Sequence, residues 1–212
     1  MPRWCRLGPL TLALTLSLPV GGSAQSMVHV RAGATLATLG GSDAPSVDSR
    51  IGLDLGGAVT FDLTESLALQ AGLSYVQKGA NLPQGDIDLG IQIDYLDIPV
   101  LLRYVVPMGG SISPHILLGP AVSFKLGCSL QVSGEGAAGT LSCGEAGVPP
   151  VQSLDFGAMG GAGVDIATSE SFRVTFDVLY NLGVRSIDDS PSSEDVRNRS
   201  WSFLAGVAVP IN

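Results

Sequence analysis

Past residue 20 the sequence contains no apolar run close to the roughly 18 residues that a membrane-spanning helix requires, so no helical span is expected there. Charge is also scarce: 14% of residues are Asp, Glu, Lys or Arg and 45% are hydrophobic, against about 25% charged in ordinary soluble domains. There are two histidines, His29 and His115, with no Gly-x-Ser-x-Gly elbow, no zinc-ligand spacing and no glycine-rich loop carrying a strand into a helix. Serine-nucleophile, zinc and nucleotide chemistry therefore lack their residues, and no catalytic site, metal or cofactor is expected. Basic residues are few as well, 11 Lys and Arg against 19 Asp and Glu, which disfavours a nucleic-acid partner.

What is present begins with an export signal. Arg3 and Arg6 precede an apolar stretch from Leu7 to Val20, and Gly22-Ser23-Ala24 offers small residues for cleavage. Residues 1–24 are expected to be removed, leaving 25–212 as one domain. The signal holds two basic and no acidic residues, so the mature net charge is 9 minus 19, or −10.

Period-2 alternation then dominates, in eight segments. Apolar faces are formed by Val28 to Leu36, Ile51 to Phe61, Leu67 to Tyr75, Leu96 to Tyr104, Ile116 to Leu126, Leu154 to Ile166, Phe172 to Val184 and Trp201 to Ile211. The seventh is the most regular: Phe172, Val174, Phe176, Val178, Tyr180, Leu182 and Val184 oppose Arg173, Thr175, Asp177, Asn181 and Arg185. A helix would scatter these residues around its surface.

The connections alternate in length. Residues 63–66, 105–113 and 167–171 make short ones, and 37–49, 79–90, 127–152 and 186–199 long ones. An up-and-down meander places all the short turns at one end, as periplasmic turns, and all the long loops at the other, as extracellular loops. The fold class expected is therefore all-β: an eight-stranded antiparallel up-and-down transmembrane β-barrel, its apolar face in contact with outer-membrane lipid. Tyr75, Tyr104, Tyr180 and Trp201 fall on the apolar face near segment ends, where interfacial girdles lie. The competing arrangement is a soluble lipocalin-like carrier, whose apolar face would line an interior ligand site.

The fourth segment, Tyr95-Leu96-Asp97-Ile98-Pro99-Val100-Leu101-Leu102-Arg103-Tyr104, resembles a strand of the bacterial outer-membrane β-barrel family that includes PorT-like proteins. Tyr75-Val76-Gln77-Lys78-Gly79-Ala80, Leu118-Gly119-Pro120-Ala121, Asp155-Phe156-Gly157 and Gly161-Ala162-Gly163 extend the resemblance over the strands. It implies an integral barrel of a Gram-negative outer membrane, inserted by the barrel-assembly machinery, and says little about activity. The chain differs from many outer-membrane barrels in ending Val209-Pro210-Ile211-Asn212 rather than on an aromatic residue.

The polar faces gather Arg31, Lys78, Arg103, Lys125, Arg173 and Arg185 with Asp54, Asp62, Asp97, Asp155, Asp165 and Asp177. Eight strands leave an interior just wide enough for side chains to fill, so these twelve are expected to form a balanced lumen charge network that plugs a monomeric barrel. A narrow ion-conducting pore is the alternative. The histidines are expected in the same network rather than in a hydrolase or transferase site. Pro99 lies in a strand without an edge, and Ile91 and Ile93 occupy the opposite register from Leu96, Ile98 and Val100. Both features predict a β-bulge near Tyr95. Cys128 and Cys143, in the longest connection, most simply pair in an oxidising compartment.

Overall fold

A computed structural model describes residues 26–44, 47–84, 87–134, 137–144, 150–169, 171–189 and 195–211. The export signal expected over residues 1–24 lies outside them. The described residues form β1 (Ser26–Gly40), β2 (Asp48–Asp62), β3 (Leu67–Gln84), β4 (Ile87–Val105), β5 (Ile112–Gly134), β6 (Ala137–Ser142), β7 (Leu154–Ser169), β8 (Phe172–Gly183) and β9 (Arg197–Ile211). All pairings are antiparallel. The circuit β1-β2-β3-β4-β5-β7-β8-β9 closes when β9 returns to β1. Ser26 faces both Phe61 and Ile211, which brings the first and last described strands to the short-turn, periplasmic end.

Two environments, lipid outside and a packed polar core inside, impose the period of two. Val30, Leu55, Leu73, Leu102, Leu118, Phe176 and Phe203 are exposed on the outer surface, while His29, Arg31, Gln70, Arg103, His115, Asp165 and Asp177 are buried within. This orientation is the reverse of a lipocalin-like carrier and removes that alternative. Tyr180 and Trp201 pack against each other on the outside, with ring centroids 4.8 Å apart.

Two long connections are not loops. The segment 79–90 continues β3 to Gln84 and starts β4 at Ile87, and β5 runs on to Gly134 before returning as β6. A wall of four strands thus rises above the membrane. From Tyr75 to Gln84 it climbs about 30 Å along the strand, at roughly 3.3 Å per residue.

In the wall the polarity turns inside out. On β3 and β4 the outward row of Tyr75 and Leu96 is the last apolar one, and β5 carries one more exposed apolar residue, Leu126, above Phe124. Above that row the outward rows are Gln77 and Asp94, then Gln92, Ser129 and Ser142, then Asp48, Asn81, Gln131 and Thr140. The inward rows become Ile93 and Cys128, then Ala80, Ile91, Leu130 and Leu141.

The bulge expected near Tyr95 is present, but its extra residue is not on β4. Tyr95, Asp97, Pro99, Leu101 and Arg103 all point inward, as does Ile93, so β4 keeps one phase. The odd-numbered isoleucines signalled a change of surroundings, not of register. The bulge lies in the neighbouring strand, where Asp94 faces Gly127 and Tyr95 faces Lys125, leaving Leu126 as the extra residue.

A charge placed on the lipid-facing surface measures this boundary. Val100, paired with Ala71 half way along the apolar face, is expected to cost about 2–4 kcal/mol as Val100→Arg, whereas Gln131→Arg in the wall changes stability by less than about 0.5 kcal/mol. Urea unfolding in lipid vesicles reads both, and equal costs would refute the boundary.

Candidate functional site

The lumen is stacked in four layers. Nearest the periplasm is a hydrogen-bonded network on β1, β2, β3, β4, β5, β7 and β8. Arg31 Nη1 donates to Asp177 Oδ2 at 3.1 Å. Arg103 forms an ion pair with Asp165, and its Nη1 donates to Gln70 Oε1 at 3.1 Å. Its Nη2 also lies 3.0 Å from His115 Nδ1. A guanidinium only donates, so His115 Nδ1 accepts and the ring proton sits on Nε2, 2.7 Å from Asp177 Oδ1. Thr60 Oγ1 extends the chain to His29 Nε2 at 2.9 Å.

Glycine makes room for this layer. A Cβ on Gly163 would fall onto the Asp177 carboxylate and the His115 ring, and one on Gly206 onto Arg31.

The second layer is apolar: Leu101, Leu117, Ala121, Met159, Leu179 and Leu204 pack together across the barrel. Above it, Lys78 Nζ pairs with Asp97 Oδ2 at 2.8 Å, donates to Ser123 Oγ at 3.2 Å and lies 4.9 Å from the centre of the Tyr95 ring. Asn198 Nδ2 donates to Tyr95 Oη at 3.1 Å and Asp155 Oδ2 at 2.8 Å. Asp54 and Ser202 line one small cavity. A cavity of about 10 Å³ beside Arg31, Asp54 and Asp97 has room for roughly a single water.

The fourth layer caps the extracellular mouth. Val151 and Ile187 rest on Ile93 and Tyr95, and Leu39, Ile91, Cys128, Cys143 and Val196 surround them. Backbone bonds hold the cap together: Gln152 N to Ile187 O at 2.8 Å and Ile187 N to Val196 O at 2.7 Å. The Lys125 ammonium, placed by the β5 bulge, donates to Val151 O. Cys128 and Cys143 are bonded, with Cα atoms 5.4 Å apart. Closing a loop of this length contributes about 3 kcal/mol on the chain-entropy model. Outside the barrel mouth, Arg197 donates to Asp195 and holds that carboxyl below its ordinary range.

The charges singled out in the sequence are not all brought together. Arg31, Lys78 and Arg103 are buried, as are Asp54, Asp97, Asp155, Asp165 and Asp177. Lys125 is half-buried under the cap, Arg173 and Asp62 half-buried at the periplasmic rim, and Arg185 is exposed beyond the end of β8. The expected near balance of six against six is therefore corrected to three buried cations and five buried carboxylates. Each buried cation has an acidic partner, while Asp155 relies on Asn198 and Asp54 faces the small cavity. Sequence reasoning missed Tyr95, Asn198 and the cap; the odd-register isoleucines of β4 were the available signal.

A closed barrel with a lipid-facing apolar surface and a packed polar interior defines an outer-membrane β-barrel protein. The sequence matches the family "Outer membrane protein beta-barrel domain" over residues 21–189, and the chain belongs to that family in the outer membrane. Among solved structures, OprG from Pseudomonas aeruginosa is 16% identical, with 91% of this chain and 98% of that chain covered and a TM-score of 0.56. The Neisserial surface protein A is also 16% identical, with 86% and 96% covered and a TM-score of 0.48. A major outer membrane protein from Thermus thermophilus is 13% identical, with 88% and 99% covered and a TM-score of 0.49. At 16% identity the likeness to OprG is one of fold. No curated protein matches the sequence.

Proposed function

We propose that the protein is a monomeric, non-catalytic barrel with a plugged lumen, and that it works at the cell surface through the β3–β6 wall. A structural or secretion-associated role is compatible with the same architecture. The observation that carries this reading is the continuity of the four lumen layers, from the Arg103 network to the Val151 and Ile187 cap, around a cavity of about 10 Å³. Ion pairs at 2.8 and 3.1 Å across the interior replace the water that a conducting path would need.

Two further points support it. His29 and His115 are 2% and 1% exposed, out of reach of a substrate. The membrane circuit closes on itself, so no unpaired strand edge there calls for a second copy. Export with removal of residues 1–24, followed by insertion by the barrel-assembly machinery, is the route this reading implies.

Planar-bilayer recording of the purified protein tests the plug. No sustained current is expected, and ohmic steps of constant unit size in the wild-type protein would replace this reading with that of a pore.

A further inference from the structure

The outer surface of the wall carries a groove of about 330 Å³, lined by Asp48, Arg50, Asn81, Asp88, Gln131 and Ser133 among others, in the third outward row above Tyr75 and Leu96. Its floor is Gly90, whose missing side chain makes the depression: a Cβ there would lie 3.2 Å from both Arg50 Nη1 and Asn81 Oδ1. Arg50 Nη2 donates to Gln92 Oε1 at 2.5 Å, and Gln131 Nε2 donates to the same oxygen at 3.2 Å. Gln92 Nε2 in turn donates to Asp94 Oδ1 at 3.0 Å. The guanidinium is thus held by the Gln92 amide, and among the described residues it has no ion-pair partner.

Position selects the occupant. The outward face is apolar up to Tyr75 and Leu96, and the groove lies six residues, about 20 Å, further along the tilted strands, so it opens sideways at the height of an extended sugar headgroup in the outer leaflet. Chemistry agrees: amides and carboxylates held in fixed rows bond pairs of sugar hydroxyls, and an arginine without an ion-pair partner suits an anionic substituent. A simple phospholipid headgroup would engage the arginine and leave the amides and carboxylates without hydroxyl partners.

We propose that this groove binds the anionic sugar headgroup of an outer-leaflet glycolipid. Arg50 takes the anionic group, Asn81 and Gln131 hydrogen-bond the ring substituents, and Asp48 and Asp88 accept from sugar hydroxyls. The site lies outside the lumen and does not depend on whether the lumen conducts.

Calorimetric titration of the detergent-solubilised barrel with a deep-rough lipopolysaccharide tests the assignment, with phosphatidylglycerol as the anionic control. Saturable binding of the glycolipid is expected, weakened roughly tenfold by Arg50→Gln, the scale of one lost charge-assisted hydrogen bond. It should be abolished by Gly90→Leu, which fills the groove, while heat-modifiable gel mobility shows that each variant is folded. If Gly90→Leu does not fold, Arg50→Gln decides alone. Equal binding of phosphatidylglycerol, no saturable binding, or an unchanged affinity in Arg50→Gln overturns the proposal.

Discussion

Replacing Arg103 by methionine is expected to destabilise the barrel by about 3–5 kcal/mol, the scale for removing one partner of a buried ion pair. Arg103 is 3% exposed and is the hub of the periplasmic layer, joining Gln70, His115 and Asp165. Its loss leaves the Asp165 carboxylate buried without its cation, and His115 Nδ1 is 4.0 Å from that carboxylate. Methionine matches much of the arginine's length, so the effect reports charge rather than a void. Removing both charges, as Arg103→Met with Asp165→Leu, is expected to recover most of the deficit, because a buried pair and a well-packed apolar pair are of similar stability. Urea unfolding in vesicles, followed by the fluorescence of Trp201, measures Arg103→Met, Asp165→Leu and the double mutant. A double mutant as unstable as the sum of its single mutants would show that the pair is not a coupled unit.

The part of the fold that lipid imposes was the part legible in the sequence. Phe172 to Val184 and Trp201 to Ile211 alternate cleanly because hydrocarbon excludes polar groups from one face and the core excludes large apolar ones from most of the other. Above the membrane that constraint ends. Gln77, Gln92 and Asn81 now face outward, and Ile91 and Ile93 inward, so the sum of both faces looks like a mixed, glycine-containing loop although the strand continues. The alternation, extended two residues past Gly183, points Arg185 into the lumen, but β8 has already ended there.

The charge network was legible as a set but not as a pattern of partners. Register between distant strands decides that Arg31 meets Asp177, 146 residues away, and Arg103 meets Asp165. Strand tilt and stagger fix that register, and a single strand's sequence does not display it. The same holds for the cap: Val151, Ile187 and Val196 belong to connections, where no alternation marks which residues turn into the mouth.

Tyr95 joins the two halves of the extracellular interior, and Tyr95→Ala is expected to cost about 3–5 kcal/mol, the range for truncating a buried aromatic. Its ring has no exposed surface, supports Ile93, Val151 and Ile187 above, and meets the Lys78 ammonium at 4.9 Å. Its hydroxyl accepts from Asn198, which also holds Asp155. Removing the ring therefore opens a cavity and withdraws the floor of the cap at once. Tyr95→Phe separates the contributions: it keeps the packing and the cation–π contact and loses one hydrogen bond, for an expected cost of about 1 kcal/mol. Unfolding in vesicles distinguishes them, and a Tyr95→Phe variant as unstable as Tyr95→Ala would assign the role to the hydroxyl network instead. Because Val151 and Ile187 rest on this ring, Tyr95→Ala is also expected to make the Cys128–Cys143 bridge reducible at lower dithiothreitol concentrations than in the wild-type protein, as the cap that covers it loosens.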